Sequence, residues 1–245
     1  QCSKPPCDEP GLSPGARAHV TKWNVPYARV ENGTVVAPDD TDIDFLFFGG
    51  VSSEFQLNND LWLHNGSAWI WVGGNKTART ATAPTKYWPS ARTGSAGWQP
   101  REMLQSSRHF FLFGGWGADS DGPQNFYALS DLWWITVALD LSAPSRARTV
   151  TSAIAPQARV YGTSWTMPSD LFGDSHWLFG GWQADKEFDQ GPCFNDLWSF
   201  QYDESTNVAN WTNYSVSGAL PIPRFGAAKW VLPTDGNKFT VYIYG

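Results

Sequence analysis

Two segments of the chain combine aromatic side chains with closely spaced carboxylates on a shared plan. Each begins with Trp-x-Ala-Asp, continues through further acidic residues and reaches Gly-Pro, and they span Trp116–Tyr127 and Trp182–Cys193. Aromatic rings with interspersed carboxylates suit recognition of a protein or carbohydrate ligand. The candidate ligand-binding residues are Trp116, Asp119, Asp121, Phe126, Tyr127, Trp182, Asp185, Glu187, Phe188 and Asp189. The alternative is that the rings hold each segment against its own part of the fold and leave the acids in solvent.

The same carboxylates offer several oxygen atoms within a short stretch, which is the chemistry that calcium prefers. Asp119 and Asp121 lie two residues apart, and Asp185, Glu187 and Asp189 alternate. The spacing does not match an EF-hand loop. We therefore expect no cofactor and no metal site, with calcium as the minor alternative.

Catalytic patterns find little support in the sequence. The four histidines, His19, His64, His109 and His176, do not have the spacing of metal ligands. Gly11–Gly15 matches the letters of G-x-S-x-G but follows no predicted strand, and the chain has no P-loop and no dinucleotide-binding fingerprint. We therefore expect a protein that is not an enzyme, with no catalytic residues.

Three sequence words recur in fixed order and at a nearly constant period. An apolar run ends in glycine at Gly49, Gly114, Gly180 and Gly245, so the successive periods are 65, 66 and 65 residues. Asp-Leu-Trp follows the first three glycines, and an arginine six residues before a tryptophan precedes all four. The Asp-Leu-Trp motifs begin at Asp60, Asp131 and Asp196. The pairs of arginine and tryptophan are Arg17/Trp23, Arg92/Trp98, Arg159/Trp165 and Arg224/Trp230. Such a repeat indicates an array of similar structural units.

One repeat divides into four short strands, which we name A to D. In the third copy, β-rich or alternating runs predict strands at Arg159–Trp165, Trp177–Gly181, Asn195–Phe200 and Asn210–Ser215. Four antiparallel strands in about 65 residues are typical of one propeller blade. The first copy fits the same scheme, the second has a less distinct strand D at 147–151, and the fourth contains only strands A and B. The sequence thus predicts an all-β propeller with an N-terminal segment, 1–13, and blades at 14–88, 89–155, 156–220 and, in part, 221–245.

The pattern resembles the kelch repeat family. The resemblance rests on the double glycine after an apolar strand, the Asp-Leu-Trp words, the downstream tryptophans and the Pro-x-x-Arg lead-ins at Pro14, Pro89 and Pro156. It implies that the recurring residues pack the blades, and that the loops joining strands B to C and D to A share a face that commonly binds partners. Kelch propellers close with six or seven blades, so we expect these three and a half blades to be part of a longer chain. The alternative is that another chain completes the ring.

The cellular compartment is inferred from sequons and cysteines. Asn32, Asn65, Asn75, Asn210 and Asn213 lie in Asn-x-Ser/Thr sequons. Cys2 and Cys7 are spaced to form a small disulfide loop, and Cys193 has no evident partner. We therefore expect a secreted or cell-surface glycoprotein with N-linked glycans. The net charge of -6 does not indicate a basic surface that would bind nucleic acid. No apolar run is long enough to span a membrane.

These observations predict an extracellular binding scaffold that presents its long B–C loops to a protein or glycan partner within a larger surface or matrix assembly. The first alternative is a secreted carbohydrate-active or oxidase-type kelch enzyme with its site in blades outside this sequence. The second is an intracellular kelch adaptor, which would carry no N-linked glycans.

Overall fold

A computed structural model describes most of the chain and shows an all-β architecture. The described residues are 13–26, 29–31, 34–36, 43–76, 85–101, 107–118, 126–138, 143–168, 173–185, 188, 190–215, 218–219, 221–234 and 238–245. They form twenty-one strands and no helix. Within this part of the chain there is accordingly no helix long and apolar enough to cross a membrane.

Three four-stranded antiparallel sheets follow one another along the chain, each in the spatial order A-B-C-D. Blade one contains β2 (Thr21–Pro26), β5 (Ile43–Phe48), β7 (Leu61–His64) and β8 (Trp69–Gly73). Blade two contains β10 (Ala96–Trp98), β11 (Ser107–Phe113), β14 (Leu132–Ala138) and β15 (Arg146–Val150). Blade three contains β16 (Thr163–Met167), β17 (Ser175–Trp182), β18 (Cys193–Asp203) and β19 (Val208–Tyr214). The predicted fold, a set of kelch-type propeller blades, is confirmed.

The fourth blade and three short sheets complete the described strands. Blade four is the pair β20 (Ala228–Thr234) and β21 (Lys238–Tyr244). One small sheet pairs β1 (Arg17–Ala18) with β6 (Val51–Ser52), and another pairs β3 (Arg29–Glu31) with β4 (Thr34–Val36). The third joins β9 (Arg92–Thr93) to β12 (Trp116–Ala118) and β13 (Phe126–Ala128).

The blades differ from the sequence prediction mainly at strand A. The arginines that were expected to begin this strand lie in the lead-in before it, and strand A of blade three begins four residues later, at Thr163. The weakly indicated strand D of blade two is present as Arg146–Val150. It pairs with strand C from Leu132 to Thr136, so blade two has a full complement of four strands.

Apolar side chains from facing sheets fill the space between consecutive blades. Trp23 of blade one packs on Phe110 of blade two, with ring centroids 5.3 Å apart. Trp98 of blade two packs on Phe200 and Trp211 of blade three and donates its indole N–H to the carbonyl of Trp177 at 2.8 Å. Trp23 and Trp98 are therefore wedges between blades, where large rings bury much apolar surface.

Each complete blade contains the same ion pair around a largely buried arginine. Arg17, Arg92 and Arg159 bind the aspartates of the three Asp-Leu-Trp words, with shortest N–O distances of 2.5, 2.6 and 2.6 Å to Asp60, Asp131 and Asp196 respectively. The tryptophan two residues later donates its indole N–H to the same carboxylate. The arginine also donates to the carbonyl of the first glycine of the Gly-Gly pair. The arginines are thus structural, as their recurrence suggests, because the carboxylates of their own blades bind them.

The carboxylates in blades two and three have a pKa below its usual value. Burial alone would raise the pKa of Asp131, but the charge of Arg92 and hydrogen bonds from Arg92 and Trp133 outweigh it. Burial likewise opposes the charged form of Asp196, and the hydrogen bond and charge of Arg159 again lower its pKa. Both groups therefore favour the ionised, paired state.

The Gly-Gly corner joins each blade to the next through the backbone. The second glycines, Gly50, Gly115 and Gly181, donate their N–H to the carbonyls of the next blade's arginines, Arg92, Arg159 and Arg224, at 2.8–2.9 Å. The first glycines adopt positive φ, and a Cβ on Gly114 would lie 2.6 Å from the Arg159 carbonyl oxygen. Only glycine satisfies both the backbone conformation and this close approach.

His176 lies in the interface between blades two and three and is almost fully buried. Its ring packs between Phe111 and Phe200, and its Nδ1 lies 3.1 Å from the hydroxyl of Thr166. Burial lowers its pKa from 6.5 to about 3, because the imidazolium would lose its hydration there. The native state therefore holds a neutral imidazole at pH values where the unfolded chain takes up a proton.

We predict that this histidine makes the fold sensitive to mild acid. Between pH 7 and 5 the unfolded chain gains the proton that the native state excludes, so His176 should lower the free energy of unfolding by about 2 kcal/mol. Urea unfolding at pH 7, 6 and 5 measures this, and His176→Gln should remove that part of the slope. Between pH 7 and 8 both proteins should show the same slope. An unchanged slope between pH 7 and 5 in the variant would contradict the assignment.

Candidate functional site

The B–C connections extend the blades beyond their Gly-Gly corners. In blade two the connection returns as the hairpin β12–β13, and β12 also pairs with the lead-in strand β9. In blade three, strands B and C continue past the corner, so that Trp182 pairs with Cys193, and Val160 bridges to Trp182. Both candidate segments thus start and end on strands that the repeated arginine lead-ins hold in place.

Six aromatic residues at this end of the molecule form one cluster, which we call the aromatic patch. Its members are Trp116, Phe126, Tyr161, Trp182, Phe188 and Phe225, which come from blade two, blade three and the lead-in to blade four. Trp116 contacts Phe126 and Phe188 at centroid distances of 5.0 and 4.9 Å. Trp182 contacts Phe188 at 5.0 Å and stacks on Phe225 at 5.5 Å. The ring centroid of Tyr161 lies 6.2 Å from that of Phe188 and 6.1 Å from that of Phe225.

The two B–C connections dock on each other. The indole N–H of Trp116 donates to the carbonyl of Asp185 at 3.1 Å, and the N–H of Ala128 donates to the carbonyl of Ala184 at 3.3 Å. Trp116 therefore does not fold its segment only against its own blade, as the simpler interpretation of the sequence had it. It fixes the position of one connection relative to the other, and both half-buried tryptophans remain partly accessible.

The residue two positions after each repeated arginine has a left-handed backbone in all four blades. These residues are His19, Gly94, Tyr161 and Gly226, with φ between 55° and 67°. Backbone hydrogen bonds connect them in sequence, from Gly94 N–H to His19 O, from Tyr161 N–H to Gly94 O and from Gly226 N–H to Tyr161 O. Two blades use glycine here, whereas the other two place a ring, and the rings of His19 and Tyr161 meet at 5.1 Å.

Two further aromatic residues adopt the same unfavourable backbone. Phe188 in the blade-three connection has a φ of 61°, and Phe55 in the blade-one connection has a φ of 58°. Phe55 is 88% exposed in a tight turn closed by its N–H to the Ser52 carbonyl. A left-handed conformation costs a non-glycine residue about 1–2 kcal/mol and is concentrated at functional positions.

The other candidate residues of the two connections are only partly described. Tyr127 lies half-buried in β13 opposite Gly117, and the Asp185 carboxylate accepts the N–H of Gln190 at 3.4 Å. Asp119, Asp121, Glu187 and Asp189 lie outside the described residues, so the calcium alternative is not tested by geometry. Among the residues that are described, no group of three His, Cys, Asp or Glu side chains could hold a metal ion.

The sequons occupy accessible positions where they are described. Asn75, Asn210 and Asn213 are exposed, and the last two lie on the edge strand β19. Asn65 is partly exposed and its Oδ1 accepts the N–H groups of Ser67 and Ala68, which makes it a turn-forming residue. Cys193 forms no disulfide with a described residue, whereas Asn32, Cys2 and Cys7 fall outside the described part of the chain.

Sequence reasoning identified four of the six residues of the aromatic patch and missed Tyr161 and Phe225. It also missed Phe55. An alignment of the four repeats on their arginines would have singled out Tyr161, because Gly94 and Gly226 occupy the same position. Phe225 directly follows the fourth arginine, and Phe55 has no repeated counterpart that could mark it.

Fold and loops together define a segment of kelch-type propeller whose B–C connections form an ordered aromatic surface. No protein-family model matches the chain. It is 26% identical over 208 residues to human Host cell factor 1, a match that covers 82% of this chain and 9% of that protein. A solved structure described as the structure of YjhT superposes with a TM-score of 0.45 and 14% identity, over 91% of this chain and 58% of that chain. The chain thus spans a minor part of the first protein and less than two thirds of the second.

Proposed function

We propose that this chain is a binding scaffold that presents the aromatic patch and Phe55 to a protein partner. The observation that carries the proposal is the left-handed backbone of Tyr161, Phe188 and Phe55, three aromatic residues at the same end of the blades. At the Tyr161 position, blades two and four have the glycine that this conformation favours. A ring that is retained at such a conformational cost suggests a contact made by the ring itself.

The composition and exposure of this surface suit a protein partner. Aromatic residues in partly buried pockets dominate the binding energy of protein interfaces, and the docked connections hold the patch in one arrangement before binding. Phe225 is 48% exposed and Phe55 is 88% exposed, so both rings have area left to bury. The similarity to Host cell factor 1 supplies no partner for this chain. The proposal assigns no catalytic step and no cofactor.

Binding of peptides selected from a random displayed library tests this proposal directly. Peptides enriched on the whole chain should bind Phe225→Ala and Phe55→Ala at least tenfold more weakly, because each variant removes an exposed ring and little packing. Titration calorimetry measures the affinities, and thermal melting checks that folding is retained.

Leu232→Ala is the matched control, since Leu232 is 50% exposed on blade four and lies outside the aromatic patch. Its affinity should equal that of the unchanged protein. Peptides that bind all three variants equally well would place the site elsewhere. Binding that is sensitive to the two phenylalanines but restricted to oligosaccharides would make the partner a glycan.

We further propose that the chain is extracellular and carries N-linked glycans within a larger surface assembly. The exposed positions of Asn75, Asn210 and Asn213 support this proposal, because glycosylation requires accessible asparagines. Protein isolated from its native source should lose mass on enzymatic removal of N-glycans. An unchanged mass would favour the intracellular adaptor instead.

A further inference from the structure

A cavity of about 520 Å³ opens along blade two, beside blade three and away from the aromatic patch. Its walls include residues from strands B and C of blade two and the first residues of strand D. Glu204, in the turn between β18 and β19 of blade three, and Tyr87, in the connection before blade two, complete the lining. This size is within the range of small-molecule sites.

The strand register places three polar side chains side by side on one wall. His109 pairs with Thr136, and Thr136 pairs with Arg146, so these residues share one face of the sheet. Trp134 and Arg148 form the next pair on that face. The wall therefore presents an imidazole, a hydroxyl and a guanidinium group in one row, with the guanidinium of Arg148 in the next row.

Packing holds the inner part of this wall in place. The imidazole of His109 stacks on Trp134 with a centroid distance of 4.6 Å and an interplanar angle of 24°. Arg148 donates to the Tyr202 hydroxyl at 2.8 Å, and its guanidinium lies 6.0 Å from the Trp134 ring centroid. Since Trp134 is itself buried, the half-buried His109 ring provides the flat face on the cavity side.

The charged groups around the cavity are predominantly positive, although the chain has a net charge of -6. Arg146 and Arg148 are opposed by one carboxylate, that of Glu204. Burial lowers the pKa of His109, so its ring favours the neutral form. Arg146 is exposed and has no hydrogen bond or ion pair with any described residue, which leaves its guanidinium available to a ligand.

This arrangement does not recur in blade three. Counting from the glycine and aspartate of the repeat and across the strand register, blade three has Ser175, Gln201 and Asn210 where blade two has His109, Thr136 and Arg146. Arg146 does not recur, so it is not part of the blade packing that the repeated residues provide. Positions where repeats differ are the ones that carry function.

We propose that this cavity binds a small organic carboxylate with a flat or apolar face. The carboxylate would accept hydrogen bonds from Arg146, whose planar guanidinium suits bidentate recognition. The flat face of the ligand would lie against His109, whose ring is held by the Thr136 hydroxyl 3.1 Å from its Nδ1. Aromatic acids and sugar acids share this chemistry. The site is separate from the aromatic patch, so its failure would leave the proposed scaffold function intact.

Titration calorimetry with the whole chain tests the proposal, with indole-3-carboxylate and glucuronate as probes. At least one of them should bind, and the neutral analogues indole-3-carboxamide and glucose should bind at least tenfold more weakly. The acid that binds more tightly shows whether the ligand is an aromatic acid or a sugar acid. Absence of binding by both acids, or equal binding of acids and neutral analogues, would overturn the proposal.

Charge substitutions on opposite sides of the cavity give effects of opposite sign. Arg146→Gln should weaken binding of the acid at least tenfold, because it removes a charge-assisted hydrogen bond. Glu204→Gln should strengthen it severalfold, since it removes a negative charge beside the bound anion. Arg101→Gln, at an exposed arginine outside the cavity lining, is the matched control and should leave the affinity unchanged. Equal affinities for Arg146→Gln and Arg101→Gln would contradict the assigned site.

Discussion

A buried arginine connects three parts of the structure in blades two and three. The side chain of Arg92 binds the carboxylate of Asp131 and the carbonyl of Gly114 in its own blade. Its backbone accepts the N–H of Gly50 and donates to the carbonyl of Asn58 in the preceding blade. A charge that is this deeply buried is stable only with its partner in place. The repeated arginine, the Gly-Gly pair and the Asp-Leu-Trp aspartate therefore form one junction. This junction sets the internal geometry of a blade and its position against the next blade.

This junction also explains where the two proposed binding surfaces lie in the molecule. The arginines, the Gly-Gly corners and the wedge tryptophans are occupied in packing, so both proposed surfaces consist of residues that vary between blades. At one end, variable B–C connections dock on each other and hold the aromatic patch. Along the side of blade two, Arg146 and His109 occupy positions that are polar and uncharged in blade three. The constant framework thus fixes the positions of two surfaces that differ in chemistry.

The sequence predicted most of the fold because motifs that are weak evidence singly become strong evidence when they recur in the same order. Gly-Gly or Asp-Leu-Trp alone is common, but their fixed order located the three complete blades and the two-stranded fourth. It also identified Trp116 and Trp182, whose segments share one plan. It did not reveal that Trp116 docks on the neighbouring connection, because that contact depends on where the next blade places Asp185. Nor did it mark Tyr161 or Phe55, since nothing in a single aromatic residue indicates a left-handed backbone. Contacts between blades and backbone strain are properties of the assembled structure.

The most direct test of the junction is the free energy of unfolding of Asp131→Asn, measured by urea denaturation at pH 7. The change leaves the shape of the side chain intact but deprives the buried Arg92 of its counter-charge, so we expect a loss of about 3 kcal/mol. Glu204→Gln, which neutralises an exposed carboxylate, is the matched control and should change stability by less than about 0.5 kcal/mol. A loss for Asp131→Asn no larger than that of the control would contradict the view that the buried arginine pair holds the blades together.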